Sequence, residues 1–237
     1  MPGSALSGMD FQTVTDAVAR TGLIARGAFR PGPEDGVPDA GNVGTLVVIG
    51  NAGPAMWRAF AAAGPHPADH PLDRWTRQVL DPVAKALGAK AYFPFHPAPT
   101  GGFLPFLRWA KRAEAVFPSP MGPMIHPDYG LWHAYRGAFA FKEAFDPPPR
   151  DARPSPCETC AEKPCLSTCP VNAFDGRRYD VPACIRHIVG PAGEDCVGLG
   201  CRARRACPVG RDYLYEPAQA RFHMARFLAG NRKALGL

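Results

Sequence analysis

Cys157-Glu-Thr-Cys160-Ala-Glu-Lys-Pro-Cys165-Leu-Ser-Thr-Cys169-Pro170 is the stretch that decides how this chain is read. Four cysteines fall within thirteen residues, and the last is followed by proline. Four more come soon after: Cys184, Cys196, Cys201 and Cys207, the last again before a proline, Pro208. All 8 cysteines of the chain lie in this one segment. Such an abrupt change of composition marks a domain boundary. It falls at the stiff linker Asp146-Pro-Pro-Pro-Arg150. The chain therefore divides into residues 1–146 and 147–237.

Clustered cysteines at short spacing point to metal or redox chemistry rather than structural disulfides. The first set is similar to the bacterial ferredoxin run C-x2-C-x2-C-x3-C-P, with a middle gap of four in place of two. A cubane cluster has four irons, and each needs one soft thiolate. In such runs three cysteines wrap one cluster, and the fourth, before its proline, reaches the other. That crossed arrangement assigns Cys157, Cys160, Cys165 and Cys207 to one 4Fe–4S cluster. It assigns Cys169, Cys184, Cys196 and Cys201 to a second. Structural zinc would favour paired C-x2-C knuckles, and only one such pair is present. Two zinc sites, one cluster with four spare cysteines, and disulfides stand as the other readings.

The stretch from Cys169 to Ile188, with Gly200-Cys201 and Cys207-Pro208 after it, resembles the cluster domain of the epoxyqueuosine reductase family over about residues 156–212. There a C-P-x-x-A run leads to a Cys-Ile pair, a Gly-Cys and a final Cys-Pro. The resemblance implies two 4Fe–4S clusters working with a cobalamin held in a separate domain. This sequence departs from the pattern in its wider spacing around Cys196, Cys201 and Cys207.

Upstream, Thr45-Leu-Val-Val-Ile49 is an apolar β-branched run that predicts a buried strand. Helices are predicted over 10–21, 55–63, 71–87, near 103–115 and over 218–228. Further strands are predicted over 91–95 and 131–141. Gly88 caps the 71–87 helix, and Pro82 inside it predicts a kink or break. The fold class expected is α+β, joined to a bacterial-ferredoxin-like module. Trp57, Trp75 and Trp109 at helical positions read as core.

Three segments of the first domain resemble the cobalamin-processing CblC family, which has a nitroreductase-like α+β fold. They are Gly53-Pro-Ala-Met-Trp-Arg58, His70-Pro-Leu-Asp-Arg74 and Ile125-His-Pro-Asp-Tyr-Gly-Leu-Trp-His-Ala-Tyr-Arg-Gly137. The resemblance spans about residues 45–142. It implies a corrinoid site at His126, Tyr129, Gly130, Trp132, Tyr135 and Arg136. Each also has a plainer reading. His126 suits a turn before a proline, Trp132 and Tyr135 suit core packing, and Arg136 suits a salt bridge. Asp73 and Asp128 are candidate proton donors that also suit a helix start and a turn. Arg202, Arg204 and Arg205 either offset cluster charge or dock an acidic electron donor.

The two resemblances meet on one function: an iron–sulfur oxidoreductase passing electrons through two clusters to a cobalamin, making the chain a cobalamin-linked reductase. The alternatives are a ferredoxin-like electron carrier without corrinoid and an epoxyqueuosine reductase-type tRNA modification. A redox partner protein is expected as electron donor. The formal net charge is +6. Two loaded clusters would subtract about 4 charges, which argues against nucleic acid as a partner. There is no secretory signal or membrane span, so the expected location is cytoplasmic. The 28 prolines, interspersed with aromatics, read as rigid loops of a folded chain.

Overall fold

The computed structural model describes residues 8–99 and 101–232. The chain runs through α1 (Phe11–Ala19), β1 (Ile24–Phe29), β2 (Thr45–Ala52), α2 (Ala55–Ala62), α3 (Pro71–Ala86), β3 (Lys90–Tyr92), α4 (Phe106–Ala113), β4 (Phe117–Pro118), β5 (Met124–Ile125) and β6 (His133–Phe141). Short helices follow: α5 (Pro156–Thr159), α6 (Pro164–Ser167), α7 (Val181–Ile188), α8 (Glu194–Leu199) and α9 (Arg202–Arg205). A longer helix, α10 (Pro217–Arg232), closes the described chain. The architecture is mixed α/β. Among the described residues no helix is long and apolar enough to cross a membrane.

Two compact units result. The first comprises residues 1–51, 55–114 and 134–151, and the second residues 52–54, 115–133 and 152–237. A single boundary at residue 146 therefore does not describe the chain. Residues 115–133 group with the cysteine segment because their apolar side chains bury there. Met121, Ile125 and Leu131 share a core with Ala173, Phe174, Ala203 and Cys207.

The first unit is built on a sheet of order β1-β2-β6-β3, in which β1 pairs antiparallel with β2 and β3 antiparallel with β6. The β-branched run of β2 is fully buried from Leu46 to Ile49. Helix α4 presents Phe106, Trp109, Ala110 and Ala113, a stripe at helical spacing, to the core. The indole N–H of Trp109 donates to the Asp35 carbonyl at 2.9 Å, so a large ring is buried with its polar edge satisfied. Helix α1 begins at Asp10, whose carboxylate accepts from the Thr13 N–H at 2.7 Å.

Some local expectations need correction. Helix α3 continues through Pro82, so of the kink or break expected there no break occurs. Pro82 lies on the exposed face, where the carbonyl its ring leaves unbonded is not forced into the core. Strand β3 ends at Tyr92, short of residue 95, because Pro94 has no N–H for the ladder. Strand β1 was not anticipated, since Arg26 and Gly27 interrupt its apolar pattern. Arg26 is nonetheless buried inside the unit. It pairs with Glu114 at 3.0 Å and donates to the Asn51 carbonyl at 3.2 Å. The Tyr135 hydroxyl donates to Glu114 at 2.7 Å. Burial pushes the Glu114 carboxyl above its usual value, with Arg26 and Tyr135 opposing the shift.

In the second unit β4 and β5 form a two-stranded hairpin. The Gly130 backbone crosses that of Val209 and Gly210. A Cβ on Gly130 would sit 2.0 Å from the Val209 carbonyl oxygen, and one on Gly210 would sit 2.3 Å from the Tyr129 carbonyl carbon. Both glycines are in the left-handed region, at φ 56° and 74°. Gly130→Ala combines that strain with a backbone clash. It is expected to destabilise the chain by about 2–4 kcal/mol, read from the urea midpoint.

Candidate metal centre

The eight cysteines all lie in the second unit and are free thiols. Short helices place them. Cys157 opens α5, where its N–H donates to the Ser155 hydroxyl at 3.3 Å. Cys165 lies in α6, Cys184 in α7 and Cys196 in α8. Cys201 caps the start of α9, and Cys207 follows that helix. Cys169, just beyond α6, accepts from the Ala173 N–H at 3.3 Å on its Sγ. Proline at the first or second position of α5, α6 and α7 starts each helix with a preset φ. That is why so short a segment positions so many thiols.

Electrostatic influence among the thiols falls into two groups. Cys157 is raised by burial first, then by Cys207, Cys165 and Cys160. Cys165 is raised by burial, then by Cys207 and Cys160. On the other side, Cys184 is raised by burial, with Cys169 and Cys196 adding to it. Cys201 is raised by burial, then by Cys196 and Cys184, against backbone N–H groups of Arg204 and Ala203 that lower it. Cys207 is raised by burial and by Cys160. The groups are Cys157, Cys160, Cys165, Cys207 and Cys169, Cys184, Cys196, Cys201. Thiols bind metal as thiolates, so loading such a site releases protons.

Cys169, Cys184, Cys196 and Cys201 line one cavity of about 450 Å³. The rest of its wall is largely apolar, and includes Phe174, Ile188 and Phe227. Tyr179 also lines it, and its phenol favours the Cys184 thiolate, against the burial that raises that thiol. Burial foremost, and then Cys184, push the Tyr179 phenol upward, so it stays a donor. Among the described residues no group of three or more His, Cys, Asp or Glu converges as a single metal ion requires. A zinc site would draw four sulfurs to about 2.3 Å from one point. Four thiols spaced around a roomy, mostly apolar cavity fit a larger group with soft iron sites, as a cubane is.

The arginines of α9 are engaged locally. Arg202 pairs with Asp195 at 2.6 Å, and Arg205 pairs with the same carboxylate. Arg202 foremost holds the Asp195 carboxyl below its usual value. Arg204 lies between the rings of Trp132 and Tyr215, 4.5 and 4.6 Å from their centroids, and donates to the Leu131 carbonyl.

The six residues expected to hold a corrin in the first domain are divided between the two units. His126, Tyr129, Gly130 and Trp132 belong to the second unit, and Tyr135 and Arg136 to the first. The His126 Nδ1 accepts from the N–H groups of Asp128 and Tyr129 at 3.0 and 3.3 Å, and its ring stacks on Tyr129. This is the turn histidine that precedes Pro127. Gly130 makes the backbone crossing described above, and Trp132 packs on Arg204. Tyr135 is bonded to Glu114. Arg136 pairs with Asp73 at 2.7 Å and donates to the Thr76 hydroxyl. Asp128 is bound by both guanidinium nitrogens of Arg153, at 2.7 and 2.8 Å. Two residues at the cysteine sites escaped the sequence reading, Tyr179 and His187. The available signal was their position, five residues before Cys184 and three after it.

No family model matches this sequence, and no curated protein gives a significant match. Solved structures similar to it include epoxyqueuosine reductases. One, from Bacillus subtilis with its catalytic loop swung out of the active site, is 16% identical, with a TM-score of 0.46. It matches over 81% of this chain and 55% of its own. Another, from Streptococcus thermophilus, is 15% identical at TM-score 0.49 over 86% and 67%. A third, holding an epoxyqueuosine-modified tRNA-Tyr stem loop, is 14% identical at TM-score 0.47 over 86% and 66%. This chain thus spans about half the length of the first. At these values the likeness carries no statement about activity, and it gives the CblC expectation no support.

Proposed function

We propose that this chain is an iron–sulfur oxidoreductase carrying two 4Fe–4S clusters. Cys157, Cys160, Cys165 and Cys207 hold one, and Cys169, Cys184, Cys196 and Cys201 the other. The observation that carries this reading is the division of eight thiols into two groups of four, one of them around a cavity large enough for a cubane. When bound, such clusters accept and donate single electrons at potentials set by charge, hydrogen bonds and solvent exposure. The residues around them supply the setting. The Tyr179 phenol lines the same cavity as Cys184, the Ala173 N–H donates to the Cys169 sulfur, and apolar side chains make up much of the wall.

For the acceptor, a tRNA nucleoside is a better supported reading than a corrinoid. The run from Cys169 to Ile188 resembles epoxyqueuosine reductases, and one similar solved structure holds a tRNA stem loop. This reading departs from the expectation against nucleic acid as a partner. The charge argument behind it was too narrow: +6 less about 4 still leaves a basic chain, and binding responds to local charge. Cobalamin is not part of the proposal, because each residue expected to hold it is occupied in packing or pairing within its own unit.

The test is anaerobic reconstitution with iron and sulfide, metal and sulfide counts, and electron paramagnetic resonance after dithionite reduction. About eight irons per chain with the signal of reduced 4Fe–4S centres is the expected result. Zinc in their place sinks the proposal. A tRNA stem loop is expected to bind the loaded chain, more weakly as salt rises. A corrin band retained through gel filtration, with no tRNA binding, would reverse the choice of acceptor.

A further inference from the structure

One polar atom beside the second cysteine group has no partner. The His187 Nε2 is shut off from solvent and makes no hydrogen bond to any described residue. A buried unpaired nitrogen of this kind costs about 1–3 kcal/mol and calls for an explanation. His187 lines the same cavity as Cys169, Cys184, Cys196 and Cys201. It lies three residues after Cys184 in α7, so both side chains project from one face of the helix.

The position is fixed from behind. Val189 and Gly190 N–H groups both donate to the His187 carbonyl as the helix ends. The next turn closes tightly on it: a Cβ on Gly193 would meet the His187 carbonyl oxygen at 2.4 Å. The imidazole is therefore held toward the cavity by a backbone with little freedom. Among the other polar side chains on the cavity wall, Arg202 and Arg204 bring only donors. The acceptors on that wall are the cysteine sulfurs and the imidazole of His223, whose ring packs against Tyr215 and Phe222.

We propose that His187 is a positioning residue for the cluster held by Cys169, Cys184, Cys196 and Cys201, its Nε2–H donating a hydrogen bond to a sulfur of that cluster. Thiolate and sulfide sulfurs accept only, so the tautomer with hydrogen on Nε2 is selected. The bond stabilises the electron-rich reduced state more than the oxidised one and raises the reduction potential. The inference rests on the two-cluster reading above.

The test compares the full reconstituted chain with His187→Phe, which keeps ring volume without a donor, and His187→Gln, which keeps an N–H donor. Iron is counted, and both clusters are titrated by electron paramagnetic resonance against potential. His187→Phe is expected to retain about eight irons. At the wild-type midpoint of one cluster its reduced-to-oxidised ratio is expected to fall about tenfold, which is 59 mV for one electron. The other cluster should not move, and His187→Gln should recover part of the shift. An exchangeable-proton coupling at the shifted cluster should vanish in His187→Phe. Unmoved midpoints at full iron content would overturn the inference and leave the two-cluster reading intact. A wild-type chain short of eight irons would sink both. If His187→Phe loses one cluster, His187→Gln decides: retention shows a needed donor, and loss makes the residue a packing one and overturns the proposal.

Discussion

Replacing Cys157 and Cys207 together by alanine is expected to cost no more iron than replacing either alone, leaving about four of eight irons. Replacing Cys157 and Cys169 together is expected to remove nearly all of it. The reason lies in the grouping of thiols. Cys207 is far from Cys157 in sequence, yet its thiol acts on Cys157 and Cys165. Cys169 is four residues from Cys165, yet it acts on Cys184 across the second group. A chain that used its cysteines in sequence order would give the reverse pattern: Cys157 and Cys169 would share a fate, and Cys157 and Cys207 would be independent. Iron counts on the two double variants, beside the three singles, separate these outcomes without any assay of activity. The spectrum of the surviving cluster should also match between Cys157→Ala and Cys207→Ala.

Glu114→Gln is expected to destabilise the first unit by about 3–5 kcal/mol. The Arg26 side chain is fully shielded from solvent and the Glu114 side chain nearly so. Removing the carboxylate charge leaves a guanidinium without its counter-charge in a medium of low polarity, which costs far more than the lost attraction in water would. Adding Arg26→Met to Glu114→Gln removes the stranded charge and keeps an oxygen to accept from Tyr135. That double variant is expected to recover most of the loss. Urea unfolding followed by tryptophan fluorescence reports mainly on this unit, since three of the four tryptophans, Trp57, Trp75 and Trp109, lie in it and Trp132 lies in the second. Equal losses in the single and double variants would show that packing, not charge, governs the site.

Much of this was legible in residues and spacing. The cysteine run carried the expectation of two crossed sites, because ligand number and proline position are local properties. The run of β2, the cap of α1 and the stripe of α4 were legible for the same reason. What escaped depended on long-range partners. Arg26 looks like a break in a strand until Glu114, distant in sequence, supplies its counter-charge. Residues 115–133 read as part of the first domain until their apolar side chains are seen to bury with Ala173 and Phe174. Gly130 invites a reading as ligand contact, yet the cause of its bare Cα is the passing backbone of Val209. His126 was caught between two readings, and the N–H groups of Asp128 and Tyr129 favour the turn.

Helix α6 is one short turn of chain with Cys165 inside it and Cys169 just past its end, and these two thiols belong to different groups. Each bound cluster would act as a four-way cross-link, and α6 is the knot common to both. Closing such loops removes freedom from the unfolded chain, and the gain grows with the length enclosed. Here one link reaches forward to Cys207 while the other starts at Cys169 and ends at Cys201, so the loops overlap. Whichever centre forms first shortens the search for the other, and the chain should take up its iron as a cooperative pair of events. Losing either would loosen the strand ends of both, which makes the metal-free segment the natural target of a protease.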